Sequence, residues 1–159
     1  MQKTDIGKIV RYINKCDPDI VQTYRNIMDD DYRSSGLKKH VEKNNIGVCF
    51  FSPIKHGLLT GKYTKPESFE NGDHRSKIKQ FADETIIKKM KENKDILEKK
   101  YSNKNNATMY GIVNSLFSDA PTGCVILGQR NIAQVNVASC LGEILPKKES
   151  HWIKSLYSL

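Results

Sequence analysis

Apolar positions recur along this chain with two spacings, one helical and one strand-like. Ile6, Ile9, Val10 and Ile13 fall at i, i+3, i+4 and i+7, the stripe of an amphipathic helix for which Thr4 or Asp5 is the expected cap. Cys16-Asp17-Pro18 closes it, because proline disfavours helix in the residue before it. A short strand is predicted over 19–24, a polar and acidic loop over 27–35, and a second helix from Ser35 to Lys43 with Leu37 and Val41 facing inward. Asn44-Asn45 ends that helix, and a second strand follows over 46–51. Its unbroken run Val48-Cys49-Phe50-Phe51 reads as a strand buried on both faces, the habit of parallel sheets.

Residues 64–82 form a long polar connection, of the kind that serves as a lid or stays disordered. A third helix is predicted from Glu84 to Tyr101, with Ile86, Met90, Ile96, Leu97 and Tyr101 on its inner face. After a break at 102–106, Met109, Ile112, Val113, Leu116 and Phe117 give the cleanest amphipathic pattern in the chain. A third strand, Cys124 to Leu127, leads to a fifth helix whose Ile132, Val135, Ala138 and Leu141 are expected to point inward. A last amphipathic helix carries Trp152, Ile153, Leu156 and Tyr157. Strands alternating with helices through short links predict an α/β fold with three parallel strands and about five to six helices.

Two strand-to-loop junctions stand out, because ligands of parallel α/β folds bind beyond the carboxyl ends of strands. At the first, Ser52-Pro53 stops the second strand, since proline has no N–H for a ladder and a fixed φ. A loop with glycines at 57 and 61 and lysines at 55 and 62 follows. At the second, Gly128-Gln129-Arg130-Asn131 ends the third strand and opens the fifth helix, where Asn131 and Gln134 form a capping-box pair. Free N–H groups, a glycine and an arginine there suit a phosphate group. A well-capped helix with an exposed arginine explains the same residues equally well.

Composition narrows the options. The chain has 159 residues, enough for one domain with a real core but short of the ~250 of a whole (β/α)8 barrel. A net charge of +8 admits a polyanionic partner, yet the lysine pairs at 38–39, 88–89, 99–100 and 147–148 read as solvated helix faces. No RNA-binding motif or zinc-finger spacing is present, so nucleic acid is disfavoured. The basic excess also suits a phosphate-bearing cofactor. Cys16, Cys49, Cys124 and Cys140 form no CxxC pair, and the four histidines show no ligand spacing with them. The expectation is reduced thiols, no metal and a cytoplasmic protein, with Cys49 and Cys124 acting as small hydrophobes in their strands. Neither a leader segment nor a membrane-length apolar run is expected.

The first junction resembles the aldo-keto reductase family, in which Ser52, Pro53, Gly57, Leu58, Leu59, Thr60, Gly61, Lys62 and Tyr63 stand as they do after the family's seventh barrel strand. Asp19, Val21, Gln22 and Asn26 match its sixth-strand pattern, while Tyr24 and Arg25 replace the usual Pro and Tyr. Val125, Ile126, Gly128, Arg130, Asn131 and Gln134 fit its eighth strand and following helix, with Leu127 in place of proline. Arg75 and Phe81 resemble an Arg-Phe segment of the family. Val137 and Ala138 stand where a Glu-Asn pair would reach adenine, and Phe51 replaces a tyrosine that stacks on nicotinamide.

The resemblance implies a partial (β/α)8 TIM barrel, strands six to eight, and an NADP(H) cofactor. Gln22 would bind the nicotinamide carboxamide, Phe51 would stack on its ring, and Ser52, Pro53, Ile54, Gly57 and Leu59 would line the cofactor. Gly128, Arg130 and Gln134 would hold its adenosine-phosphate end. The implied reaction passes hydride from nicotinamide C4 to an aldehyde or ketone carbon while a tyrosine protonates the oxygen. That tyrosine, its lysine and aspartate, and a substrate-orienting histidine belong to the family's first half and have no counterpart in this sequence. No catalytic residue is therefore assigned, and a truncated chain inactive by itself is expected. Unpaired outer strand edges and uncovered apolar helix faces point to a homo-oligomer or a complementing chain. The alternative is a non-catalytic binding or regulatory subunit, as the family's potassium-channel β subunits are.

Overall fold

Three parallel strands, β1 (Ile20–Tyr24), β2 (Gly47–Phe51) and β3 (Cys124–Val125), lie side by side in chain order. The structure is a computed structural model and describes residues 6–159. Register runs Ile20 to Gly47 through Tyr24 to Phe51, and Cys49 pairs with Cys124. A bond from the Ile126 N–H to the Phe50 carbonyl (2.8 Å) carries the last ladder one residue further. Val21, Thr23, Val48 and Phe50 are buried, whereas the alternate residues Gln22, Cys49 and Phe51 are exposed or half-buried. The expected burial of β2 on both faces is thus corrected. Side chains alternate across a strand, and among the described residues the packed core covers only one face of the sheet.

The helices are α1 (Ile6–Cys16), α2 (Asp31–Ser34), α3 (Leu37–Lys43), α4 (Glu84–Lys100), α5 (Ala107–Asn114), α6 (Ile132–Ala138) and α7 (Lys147–Leu156). Ile13 of α1 and Leu37 and Val41 of α3 are buried as their spacing predicts. The proposed cap at Thr4 or Asp5 lies outside the described residues. The segment read as a loop holds the one-turn α2, formed around the buried Tyr32. On α4 the buried face is Ile87, Met90, Asn93 and Leu97, while Ile96 is 41% exposed and Ile86 half-buried, so the stripe is shifted from the one predicted. Asn93 tips that assignment, because its amide donates to the Leu156 carbonyl (2.8 Å) and brings a polar position inward. Helix α5 is buried nearly all round rather than on one side, and the Oδ1 of its Asn114 accepts from the Gly142 N–H (2.9 Å). Within the 64–82 connection His74–Lys77 and Lys79–Ala82 form short 3₁₀ turns, held by Phe81, whose ring packs edge-on against Tyr63 and Phe69.

Helix α6 departs from its prediction in part: Leu141, just beyond it, packs against the core and Ala138 is half-buried, but the other two expected positions face outward. Ile132 is 78% exposed and Val135 51% exposed, because no described element covers that face. Helix α7 packs against α5, with Ile153 and the capping Tyr157 fully buried.

Arg25 follows directly on β1 and is fully buried. Its Nε and Nη2 donate to Asp30 (2.8 Å) and Asp119 (2.7 Å), and Nη1 donates to the Leu116 carbonyl (3.1 Å). The guanidinium carbon lies 4.7 Å from the ring centres of both Tyr32 and Phe50. Burial favours the neutral form, but the two carboxylates outweigh it and hold the guanidinium charged. Arg25→Met should cost about 3 kcal/mol in urea unfolding, because it leaves Asp30 and Asp119 facing an apolar side chain. A loss below about 1 kcal/mol would show that Lys154, 3.1 Å from Asp30, and Arg33, 3.4 Å from Asp119, neutralise those carboxylates unaided.

Candidate functional site

The loop after β2 is built on backbone that glycine normally supplies. Ser52 (φ 61°), Lys55 (φ 47°) and His56 (φ 55°) join Gly57 (φ 90°) and Gly61 (φ 64°) in the left-handed region. Each non-glycine there is costly, by roughly 1 kcal/mol or more, so the surroundings must enforce it. Part of that enforcement is Lys55. Its side chain turns under the loop instead of toward ligand space and donates to Asp29 at 2.6 Å, with the Met28 sulfur at 3.5 Å. Asp29 also accepts from the Tyr24 hydroxyl (3.0 Å), and Asn26 donates to that hydroxyl (2.9 Å). Burial works to raise the Asp29 carboxyl, but the Lys55 ammonium and the other donors hold it below the usual carboxylate range. Burial and the Asp29 anion push the Tyr24 hydroxyl far up, so its proton stays on oxygen at neutral pH.

Gly61 brings the loop against α4. A Cβ there would sit 2.5 Å from the Met90 carbonyl oxygen. At Gly128, on the facing junction, a Cβ would meet nothing within 4 Å. Close approach therefore dictates glycine at 61 and leaves 128 open.

Both junctions open at the same end of the sheet onto a common cleft of about 580 Å³. Phe51, Ser52, Pro53, Ile54 and Gly57 line it from the first junction, and Gly128, Arg130 and Gln134 from the second. Arg75 joins this wall, gripped by Asp73 through both carboxylate oxygens (Nη2–Oδ2 2.6 Å) and lying over the Phe69 ring (4.1 Å). A second cleft of about 530 Å³ shares Ile54, Gly57, Lys62, Leu127, Gly128 and Gln134 with it and runs on past Val137 and Ala138 of α6. The two make one elongated groove.

Not every candidate reaches that groove. Gln22 sits mid-strand on the open sheet face beside Cys49 and lines neither cleft. Leu59 is fully buried, and its carbonyl accepts from the Tyr157 hydroxyl (3.1 Å), so it belongs to the core. At α6, Asn131 accepts from the Gln134 N–H (3.0 Å) and the Gln134 side chain accepts from the Arg130 N–H (2.7 Å). The capping pair is present, and it uses N–H groups that were candidates for a phosphate. Arg130 itself is exposed, with no carboxylate partner among the described residues. His56, beside His74 (ring centres 4.9 Å apart), and Lys62 also line the cleft. Neither histidine has a spacing that would have marked it.

Parallel strands, each followed by helix, with a groove at their carboxyl ends, define part of a (β/α)8 barrel with a ligand site in its usual place. The chain belongs to the aldo/keto reductase family, whose model matches residues 3–156. It is 34% identical over 55 residues to the aldo-keto reductase yakc of Schizosaccharomyces pombe, named for NADP(+), a match covering 35% of this chain and 16% of that protein. It is 28% identical over 109 residues to the aldo-keto reductase str7 of Strobilurus tenacellus, covering 67% of this chain and 31% of that one. The fold is similar to that of a glycerol dehydrogenase from Gluconobacter oxydans (TM-score 0.72, 22% identity), over 86% of this chain and 41% of that chain. The matches thus span less than a third of the curated relatives' length and under half of the solved structure's.

Two outcomes are expected from the loop. Gly61→Ala should destabilise the chain by about 2–4 kcal/mol, while Gly128→Ala should stay within about 0.5 kcal/mol, both read by urea unfolding. Asp29→Asn should cost about 3 kcal/mol at neutral pH by leaving Lys55 buried without its anion. Because the folded pKa of Asp29 is depressed, its contribution is present above the unfolded value of ~3.9 and lost as pH falls through the folded value. The variant should therefore lose stability less steeply than the parent on acidification below about pH 4. Parallel acid profiles would remove Asp29 from the loop's support.

Proposed function

We propose that this chain supplies the cofactor side of an NADP(H)-dependent carbonyl reductase of the aldo/keto reductase family. The observation that carries this reading is the single groove shared by the Ser52 and Gly128 junctions. Its length suits a ligand with two separated ends. Arg130 offers an uncompensated cation for a phosphate at one end, and Phe51, packed edge-on by Tyr24 (5.7 Å), offers an aromatic face at the other. These residues fit a phosphorylated dinucleotide. Val137 and Ala138 give the wall of the adjoining cleft an apolar rather than hydrogen-bonding character.

When bound, the nicotinamide supplies hydride to an aldehyde or ketone carbon. The chain's own contribution is to orient: Phe51 presents a flat surface, Ser52 and Pro53 end the strand at the ligand, and Arg130 and Lys62 draw in negative charge. Proton delivery needs a group within hydrogen-bond reach at a suitable pKa. Tyr24 does not meet that need, since Asp29 holds its proton. We therefore assign no catalytic residue here and place the chain, in the cytoplasm, as one part of a two-part site. A non-catalytic subunit is the second reading, drawn from the uncovered Ile132 and Val135 of α6 and Ile20 of β1.

Isothermal titration with NADPH should show saturable binding, weakened about tenfold in Arg130→Ala while NADH affinity is unchanged. The pure chain should not oxidise NADPH when an aldehyde is added. No binding of either nucleotide would sink the cofactor reading; steady turnover would sink the two-part site.

A further inference from the structure

Two thiols face each other across the uncovered side of the sheet. Cys49 of β2 and Cys124 of β3 are register partners, and their sulfurs lie 2.9 Å apart. Both are free; Cys124 is exposed and Cys49 half-buried. Neighbouring strands run about 4.8 Å apart, inside the Cα separation of ~4.4–6.8 Å that disulfides span, so side-chain rotation of ~1 Å at sulfur suffices to join them. Cys16 and Cys140, the other cysteines, sit on the end of α1 and just beyond α6.

We propose that Cys49 and Cys124 are a covalent modification site, a cross-strand dithiol that a hydroperoxide converts to a disulfide. The exposed Cys124 sulfur attacks one peroxide oxygen, the O–O bond breaks, and the leaving hydroxide takes the thiol proton as water. The sulfur is then a sulfenic acid. The Cys49 sulfur displaces its oxygen, the S–S bond forms, the S–O bond breaks, and a second water (or an alcohol in the first step, for an organic hydroperoxide) carries off the remaining proton. Two thiols lose two electrons in all, and the peroxide gains them. Burial and the neighbouring Cys124 hold the Cys49 thiol up at about 11, which disfavours it as the sulfur that meets the peroxide first.

The position gives the bond a structural effect. β3 is paired to β2 through only two register pairs, yet it carries Leu127, Gly128 and Arg130 into the groove wall. A disulfide ties that wall to the strand carrying Phe51 and Ser52.

The test treats the reduced full chain with hydrogen peroxide. Intact mass should fall by two hydrogens, and non-reducing peptide maps should link the segments holding Cys49 and Cys124. The double variant Cys16→Ser/Cys140→Ser should give the same link. Tm should rise by about 5–10 °C and return on adding dithiothreitol. In Cys49→Ser, oxidation should stop at a sulfenic acid on Cys124 that dimedone traps. Oxygen addition without a link, a chain-to-chain dimer through Cys124, or a link that needs Cys16 or Cys140 would overturn the proposal. If the single variant does not fold, the double variant decides alone.

Discussion

A guanidinium sealed from water at the end of the first strand is the constraint that organises this molecule. Arg25 touches two carboxylates, a backbone carbonyl and two aromatic rings, drawn from three stretches of chain at 30–32, 50 and 116–119. Asp30 arrives from the edge of α2, Asp119 from the link between α5 and β3, and Phe50 from β2. Lys154 of α7 reaches both carboxylates (3.1 Å and 3.6 Å), so the last helix is tied into the same cluster. A buried charge is expensive to desolvate and tolerates few arrangements of its partners. Four segments are therefore brought to one geometry, and the strand ends that form the groove are among them.

A second, smaller polar cluster does the local work. Lys55, Asp29, Tyr24 and Asn26 lie under the loop that follows β2, where three non-glycine residues hold left-handed backbone. The cluster anchors the loop from below, and Gly61 fits it against α4 from the side. What remains on the upper surface is the set that faces ligand: Ser52, Pro53, Ile54 and Gly57. Lysines 55 and 62, seven positions apart in one loop, thus have opposite duties. One is structural and buried; the other lines the groove.

The parts of the fold visible in the sequence were those set by local pattern. Strand positions, the limits of α3 and α4 within two residues, the Asn131–Gln134 cap and the parallel arrangement follow from periodicity and capping chemistry. Properties that depend on what lies opposite a residue did not follow. Ile132 and Val135 have helical apolar spacing yet face outward, and Ile96 lost its predicted inward place to Asn93. Arg25 looked like a departure from a pattern, because nothing in a one-dimensional string says that Asp30 and Asp119 converge on it. Much the same holds for the groove: the two junctions were marked by glycine, proline and arginine, while the retreat of Leu59 into the core and of Gln22 to the open sheet face required three dimensions.

The bond between the Tyr157 hydroxyl and the Leu59 carbonyl joins positions separated by 98 residues. The ligand-bearing loop, anchored from below by Lys55 and Asp29, is thus also fastened by the turn that closes α7. The turn that closes α7 is, in this sense, a rivet through two distant parts of the chain.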